Sequence, residues 1–204
     1  MTKSRARLLQ ILAHLAALTP LAVLAWDYAQ GQLSADPIRE VTLRTGRGAL
    51  VLLMLSLACT PIHIVFGFKP VLRLRRPLGL YAFLYAGLHG LTFVGPDYGF
   101  DLGLILEEVV QKRFLQAGFV AFLLLVPLAI TSTRGWMRRL GKNWKRLHRL
   151  VYEAALVAVL HFVWQAKGDI RRPLLYGAVI VVLLVVRLPL VRRAIRRSRA
   201  DSSQ

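Results

Sequence analysis

The stretch "WKRLHRLVYEAALVAVLHFVW", residues 144–164, has a middle apolar enough to sit in a lipid bilayer. Yet it carries His148 and His161 near its two ends and Glu153 between them. Polar side chains at bilayer depth are costly, and they mark a ligand or a functional path far more often than a plain anchor.

Outward from it, the 204-residue chain is 56% hydrophobic with a positive mean hydropathy. That fraction is too high for a soluble domain of this length. The apolar residues fall into six blocks, at about 8–26, 48–66, 77–94, 114–131, 147–164 and 173–191. Each approaches the ~20 residues that cross about 30 Å of hydrocarbon at ~1.5 Å per residue. The blocks are continuous and rich in Leu and Ala, without the alternation of a membrane barrel. The expected fold is an all-α integral membrane protein, a six-transmembrane-helix bundle forming a single domain over residues 1–204.

The net charge of +18 invites a nucleic-acid reading, which the positions of the cations exclude. Lys3, Arg5 and Arg7 precede the first block; Lys69, Arg73, Arg75 and Arg76 lie between the second and third. Six more, from Arg134 to Arg146, lie between the fourth and fifth, and Arg192, Arg193, Arg196, Arg197 and Arg199 follow the sixth. All of these share one side of a six-span topology. Asp27, Asp36, Glu40, Asp97, Asp101, Glu107, Glu108 and Asp169 fall on the other. Basic loops stay in the cytoplasm, so the N and C termini of this multi-pass protein are expected there. The first block has the charged start of a signal peptide, but its length and lack of a cleavage site favour a retained helix. The single cysteine, Cys59, makes no internal disulfide and reads as a buried small residue. No internal repeat is evident, and the only biased segment is the tail "RRSRADSSQ".

Depth then places the histidines. The third and fifth blocks run in the same direction. His161 lies 13 residues beyond His148, roughly 20 Å, and His89 lies 14 beyond Arg75, about 21 Å. With Arg75 and His148 level at the inner end, His89 and His161 meet near the outer end. Two imidazoles facing each other from neighbouring helices can ligate one haem iron axially. From the residues alone, the same pair is equally two buried histidines bonded to adjacent helices. His148 is either an interfacial histidine or a ligand at an inner redox site. Arg75 is either a topology-setting cation or the partner of a haem propionate, flavin phosphate or quinone oxygen. His14 and His63 read as polar packing residues, Glu153 as structurally paired, and Arg187 as snorkelling to the inner headgroups. No dinucleotide fingerprint, Walker loop, paired-cysteine cluster or nucleophile elbow is present, so any electron donor and acceptor come from outside the chain.

The segments "TSTRGWMRRLGKNWKRLHRLVY", "RRPLGLYAF" and the late histidine of the third and fifth blocks carry a resemblance. The chain resembles the MsrQ (formerly YedZ) family, haem-binding membrane subunits of bacterial periplasmic methionine sulfoxide reductase systems. The wider group is the ferric-reductase-like transmembrane domain, which includes NADPH oxidases. The resemblance runs from about residue 46 to 187. It implies electron transfer from the respiratory quinol pool through haem b to a periplasmic molybdopterin-containing MsrP-like subunit, held as a heterodimer, in repair of oxidised proteins. It also implies an association with FMN, for which no motif gives a position. By position, His89, His148 and His161 match the haem-associated histidines, and Arg75 lies in the family's basic segment. Two-haem relatives carry a histidine where this chain has Arg75.

The acidic outer loops suit a partner with a basic docking patch. The competing expectation is a small non-redox transporter or proton channel using His14, His63, His89 and Glu153 as a polar path. It leaves the level pairing of His89 with His161 unexplained, and the sequence lacks the inverted repeats or broken helix pairs of transporters.

Overall fold

The structure, a computed structural model, describes residues 3–166 and 168–201, and among these there is no strand. The helices are α1 (Lys3–Ala29), α2 (Pro37–Phe66), α3 (Arg75–Thr92), α4 (Leu102–Gln111), α5 (Arg113–Ile130), α6 (Arg134–Leu140), α7 (Lys142–Leu147), α8 (Leu150–Gln165), α9 (Arg171–Val185) and α10 (Pro189–Asp201). A 3-10 turn, Lys69–Leu74, leads into α3, and a π-helical turn, Phe93–Asp97, continues it.

Five stretches are long and apolar enough to cross a membrane: Ala6–Ala29, Pro37–Phe66, Lys69–Asp97, Arg113–Ile130 and Lys142–Gln165. A sixth exists only if Arg171–Val185 and Pro189–Ile195, bent from each other by 76°, count as one span. The sixth span expected over 173–191 falls on this pair, a helix that ends at Val185 followed by a bend. Pro189 supplies the reason: it has no amide proton, and its ring clashes with the carbonyl four residues back, at Val185.

Other boundaries also follow local chemistry. The second helix begins well before residue 48, because the Asp36 carboxylate accepts a hydrogen bond from the Arg39 amide at 3.0 Å and Pro37 occupies the first turn. It ends at Gly67, whose left-handed φ of 70° lets its N–H donate to the His63 carbonyl. Arg44 pairs with both Asp27 and Glu40, fixing the start of α2 against the end of α1. The segment expected as an outer loop contains α4, capped by the Asp101 carboxylate on the Leu104 amide at 3.1 Å.

Two helix pairs make the body of the bundle, α2 with α3 and α5 with α8. Each is antiparallel. The start of α2 meets the end of α3 through Thr42 and His89, and the start of α5 meets the end of α8 through Phe114 and His161. Small residues let the backbones approach, as helix contacts in lipid require. Ala82, Ala154 and Ala155 are at most 1% exposed, and a Cβ on Gly48 would fall 2.4 Å from the Tyr85 ring. Tyr85 in turn donates its hydroxyl to the Ala17 carbonyl at 2.7 Å, tying α1 to α3.

Candidate functional site

His89 and His161 are brought together, at the ends of α3 and α8. Their ring centroids are 5.9 Å apart and their planes nearly perpendicular, at 76°. An imidazole–metal bond is about 2 Å, so two rings sharing one metal from opposite sides have centroids about 6 Å apart. The separation fits.

Each ring is seated in the same way. His89 Nδ1 lies 2.9 Å from the Thr42 carbonyl, and His161 Nδ1 lies 2.6 Å from the Phe114 carbonyl. A carbonyl only accepts, so both Nδ1 atoms carry the proton and both Nε2 atoms keep a lone pair. An imidazole anchored through its other nitrogen is the form that metals bind. One turn past each carbonyl stands a glycine. A Cβ on Gly46 would fall 2.9 Å from His89 Nδ1, and one on Gly118 would fall 2.9 Å from His161 Nδ1. The two seats are copies: positions 42, 46 and 89 recur as 114, 118 and 161, an offset of 72 in each case.

The sequence reading found neither glycine and neither carbonyl. A signal was present, since residues 82–89 read "AFLYAGLH" and residues 154–161 read "AALVAVLH", both A-x-L-x-A-x-L-H. The expectation of no internal repeat is thus corrected for these segments.

His148 stands apart from this pair, at the far end of α8's span. Its Nε2 lies 3.1 Å from Thr131 Oγ1, and its ring stacks on Trp144 with centroids 4.0 Å apart. The Thr131 hydroxyl donates to the Pro127 carbonyl at 2.6 Å, so it accepts from His148, whose Nε2 carries the proton. Arg75 is exposed and bonds Thr60 Oγ1 at 3.1 Å, while its own carbonyl accepts from Ser56. Arg75 and His148 therefore have separate partners.

Arg187 departs from expectation. Rather than reaching to headgroups, it turns inward at the bend, bonding the Tyr152 hydroxyl and the Leu57 carbonyl and lying over the Tyr152 ring. His63 Nδ1 is buried without a partner, and Glu153 is exposed and makes no ion pair among the described residues. His14 bonds Tyr81. The four residues of the transporter path thus have separate surroundings.

Among the described residues, no group of three or more His, Cys, Asp or Glu could hold a metal ion. The paired imidazoles are suited to a metal whose other positions are filled by a macrocycle. Just before α5, Glu108 of α4 pairs with Lys112, and that hydrogen bond holds its carboxyl below the usual range.

The family model described as "Ferric reductase like transmembrane component" matches residues 45–159, which contain Gly46, His89, Phe114 and Gly118 and end two residues before His161. Among curated proteins, the chain is 49% identical over 179 residues to "Protein-methionine-sulfoxide reductase heme-binding subunit MsrQ" of Xanthomonas axonopodis pv. citri, covering 85% of this chain and 82% of that one. The protein of the same name from Rhodospirillum rubrum is 45% identical over 202 residues, covering 98% of this chain and 97% of the other. No solved structure matches.

Proposed function

The chain belongs to the MsrQ family and carries its ferric-reductase-like transmembrane domain, and from that membership we propose that it is a membrane electron-transfer subunit. In this proposal it takes electrons from the respiratory quinol pool. It passes them through haem b, held between His89 and His161, to a periplasmic molybdopterin-containing MsrP-like subunit that reduces methionine sulfoxide. The observation that carries the reading is the pair of Nδ1-anchored imidazoles, 5.9 Å apart, each in a glycine-lined seat.

The chain's own residues set what this site can do. The Thr42 and Phe114 carbonyls hold both rings in the Nε2-free tautomer before any ligand arrives. Gly46 and Gly118 let the rings lie against the neighbouring backbones, which fixes their orientation. Haem bound there supplies one-electron chemistry. His89 and His161 would both hold the group, and two protein ligands would favour electron transfer over substrate binding at the metal.

Topology gives the site its direction. The cation distribution supports cytoplasmic termini, and with them a His89–His161 pair toward the periplasm, on the side of the proposed partner. His148 and Arg75 lie toward the cytoplasmic end and are assigned to the donor side. FMN rests on the family resemblance, and no described feature of the structure holds a place for it. Purified protein tests the reading directly. Extracted cofactor should be haem b, and a dithionite-reduced sample should reoxidise only when the partner and a methionine sulfoxide substrate are both supplied. A colourless, haem-free protein would return the transporter reading to the front.

A further inference from the structure

A polar side chain faces outward where a membrane helix bundle should present hydrocarbon, and it is bonded to a half-buried tyrosine. His14 is exposed near the middle of α1, about 16 Å along the helix from Lys3. Its Nδ1 lies 2.9 Å from the Tyr81 hydroxyl of α3, and the two rings meet edge to face with centroids 5.5 Å apart. Pro77, Leu80 and Leu84 complete a cleft of about 300 Å³ around them. A structural clamp would account for the hydrogen bond alone. But α1 and α3 are already tied by the fully buried Tyr85 hydroxyl on the Ala17 carbonyl, and a clamp gains nothing from an open cleft.

We propose that the His14–Tyr81 cleft is the seat of a quinol headgroup. The inference rests on the quinol-fed reading above and gives that donor a place on the chain. At this depth neither water nor lipid headgroups are at hand, so an exposed imidazole needs a partner that travels in the hydrocarbon. The cleft sets the rest. Its walls are Pro and Leu, which suit a flat substituted ring, and its volume is at the small end of ligand sites, with room for a headgroup while an isoprenoid tail stays in lipid. His14 Nε2 and the Tyr81 hydroxyl offer both an acceptor and a donor. With Nδ1–H donating to the Tyr81 oxygen, a hydroquinone hydroxyl donates to Nε2 and a quinone carbonyl accepts from the phenol; with the phenol donating to Nδ1, Nε2–H donates to the carbonyl and the phenol oxygen accepts.

Photolabelling of the full-length protein in lipid nanodiscs tests the seat, with an azido-ubiquinone probe and decylubiquinone as competitor. The label should fall on peptides bearing His14 or Tyr81 and should be displaced by the competitor. His14→Leu and Tyr81→Phe should each weaken decylubiquinone binding about tenfold, the worth of one good hydrogen bond. His14→Gln, which keeps a hydrogen-bonding group, should recover part of the loss. Tyr81→Phe retains the packed ring, so a loss of binding in that variant reports the hydroxyl and not the fold. Labelling confined to another segment, or unchanged affinity in both variants, overturns the assignment. The Soret band of the same samples reports separately on the haem site. Competed labelling at His14 in a protein without that band would support this seat and count against the haem reading.

Discussion

At the scale of single residues, two glycines set how the histidines stand. A methyl on Gly118 or Gly46 would sit 2.9 Å from an imidazole atom, closer than non-bonded atoms tolerate, so the ring must leave its carbonyl. Overpacking of this kind costs about 1–3 kcal/mol, which would correspond to roughly five- to 150-fold weaker cofactor binding. Haem titration of apoprotein, read at the Soret band, should show that loss for Gly118→Ala and for Gly46→Ala. Gly87→Ala is the control, since its Cβ would lie 3.9 Å from Phe122, an ordinary contact. His148 behaves differently because its Nε2 proton is committed to Thr131. His148→Ala should keep the low-spin haem spectrum, and its complete loss in a folded protein would show the ligand pair assigned wrongly. Much of this site was legible in advance. Counting residues along two parallel spans was enough to level His89 with His161. The seats were not legible, because a backbone carbonyl leaves no mark in the side-chain sequence, and Gly46 and Gly118 align only once α2 is paired with α3 and α5 with α8.

At the scale of elements, hydropathy located the membrane helices and missed what interrupts them. Pro189 sits in the apolar run "VVLLVVRLPLV", so composition continues smoothly across the place where the backbone turns by 76°. The short helix α4 escaped for the opposite reason: ten residues with two glutamates do not resemble a span. The early start of α2 lies in its cap, a local hydrogen bond that a window average cannot see. Beyond the bend, α10 carries Arg192, Arg193, Arg196, Arg197 and Arg199 in sequence, the composition of a helix lying along an anionic membrane surface. Replacing the proline restores an amide and removes the clash with Val185, so Pro189→Ala should let α9 and α10 straighten. Spin labels at Val181 and Ala194 should report a longer mean distance in that variant. An unchanged distance would place the cause of the bend in the inward-turned Arg187 instead.

At the scale of the whole molecule, one asymmetry orients everything else. In a six-span topology the cations gather on the side of the termini and of residues 134–146, while Asp97, Asp101 and Glu107 fall on the other. Reporter fusions after Gln204 and within residues 134–146 should therefore give cytoplasmic signals, and a fusion near Asp101 a periplasmic one. A periplasmic C terminus would turn the paired histidines toward the cytoplasm and away from the proposed partner. The central claim is the pairing itself, and the absorption spectrum of purified His89→Ala and His161→Ala proteins tests it most directly. Alanine is a good helix former and is easier to bury than imidazole, so both variants should insert into the membrane and purify as the parent does. The parent should show a low-spin haem b spectrum, lost to similar extents in both variants and retained in His63→Ala. A Soret band that survives in either His89→Ala or His161→Ala at parental intensity and low-spin shape would contradict the account.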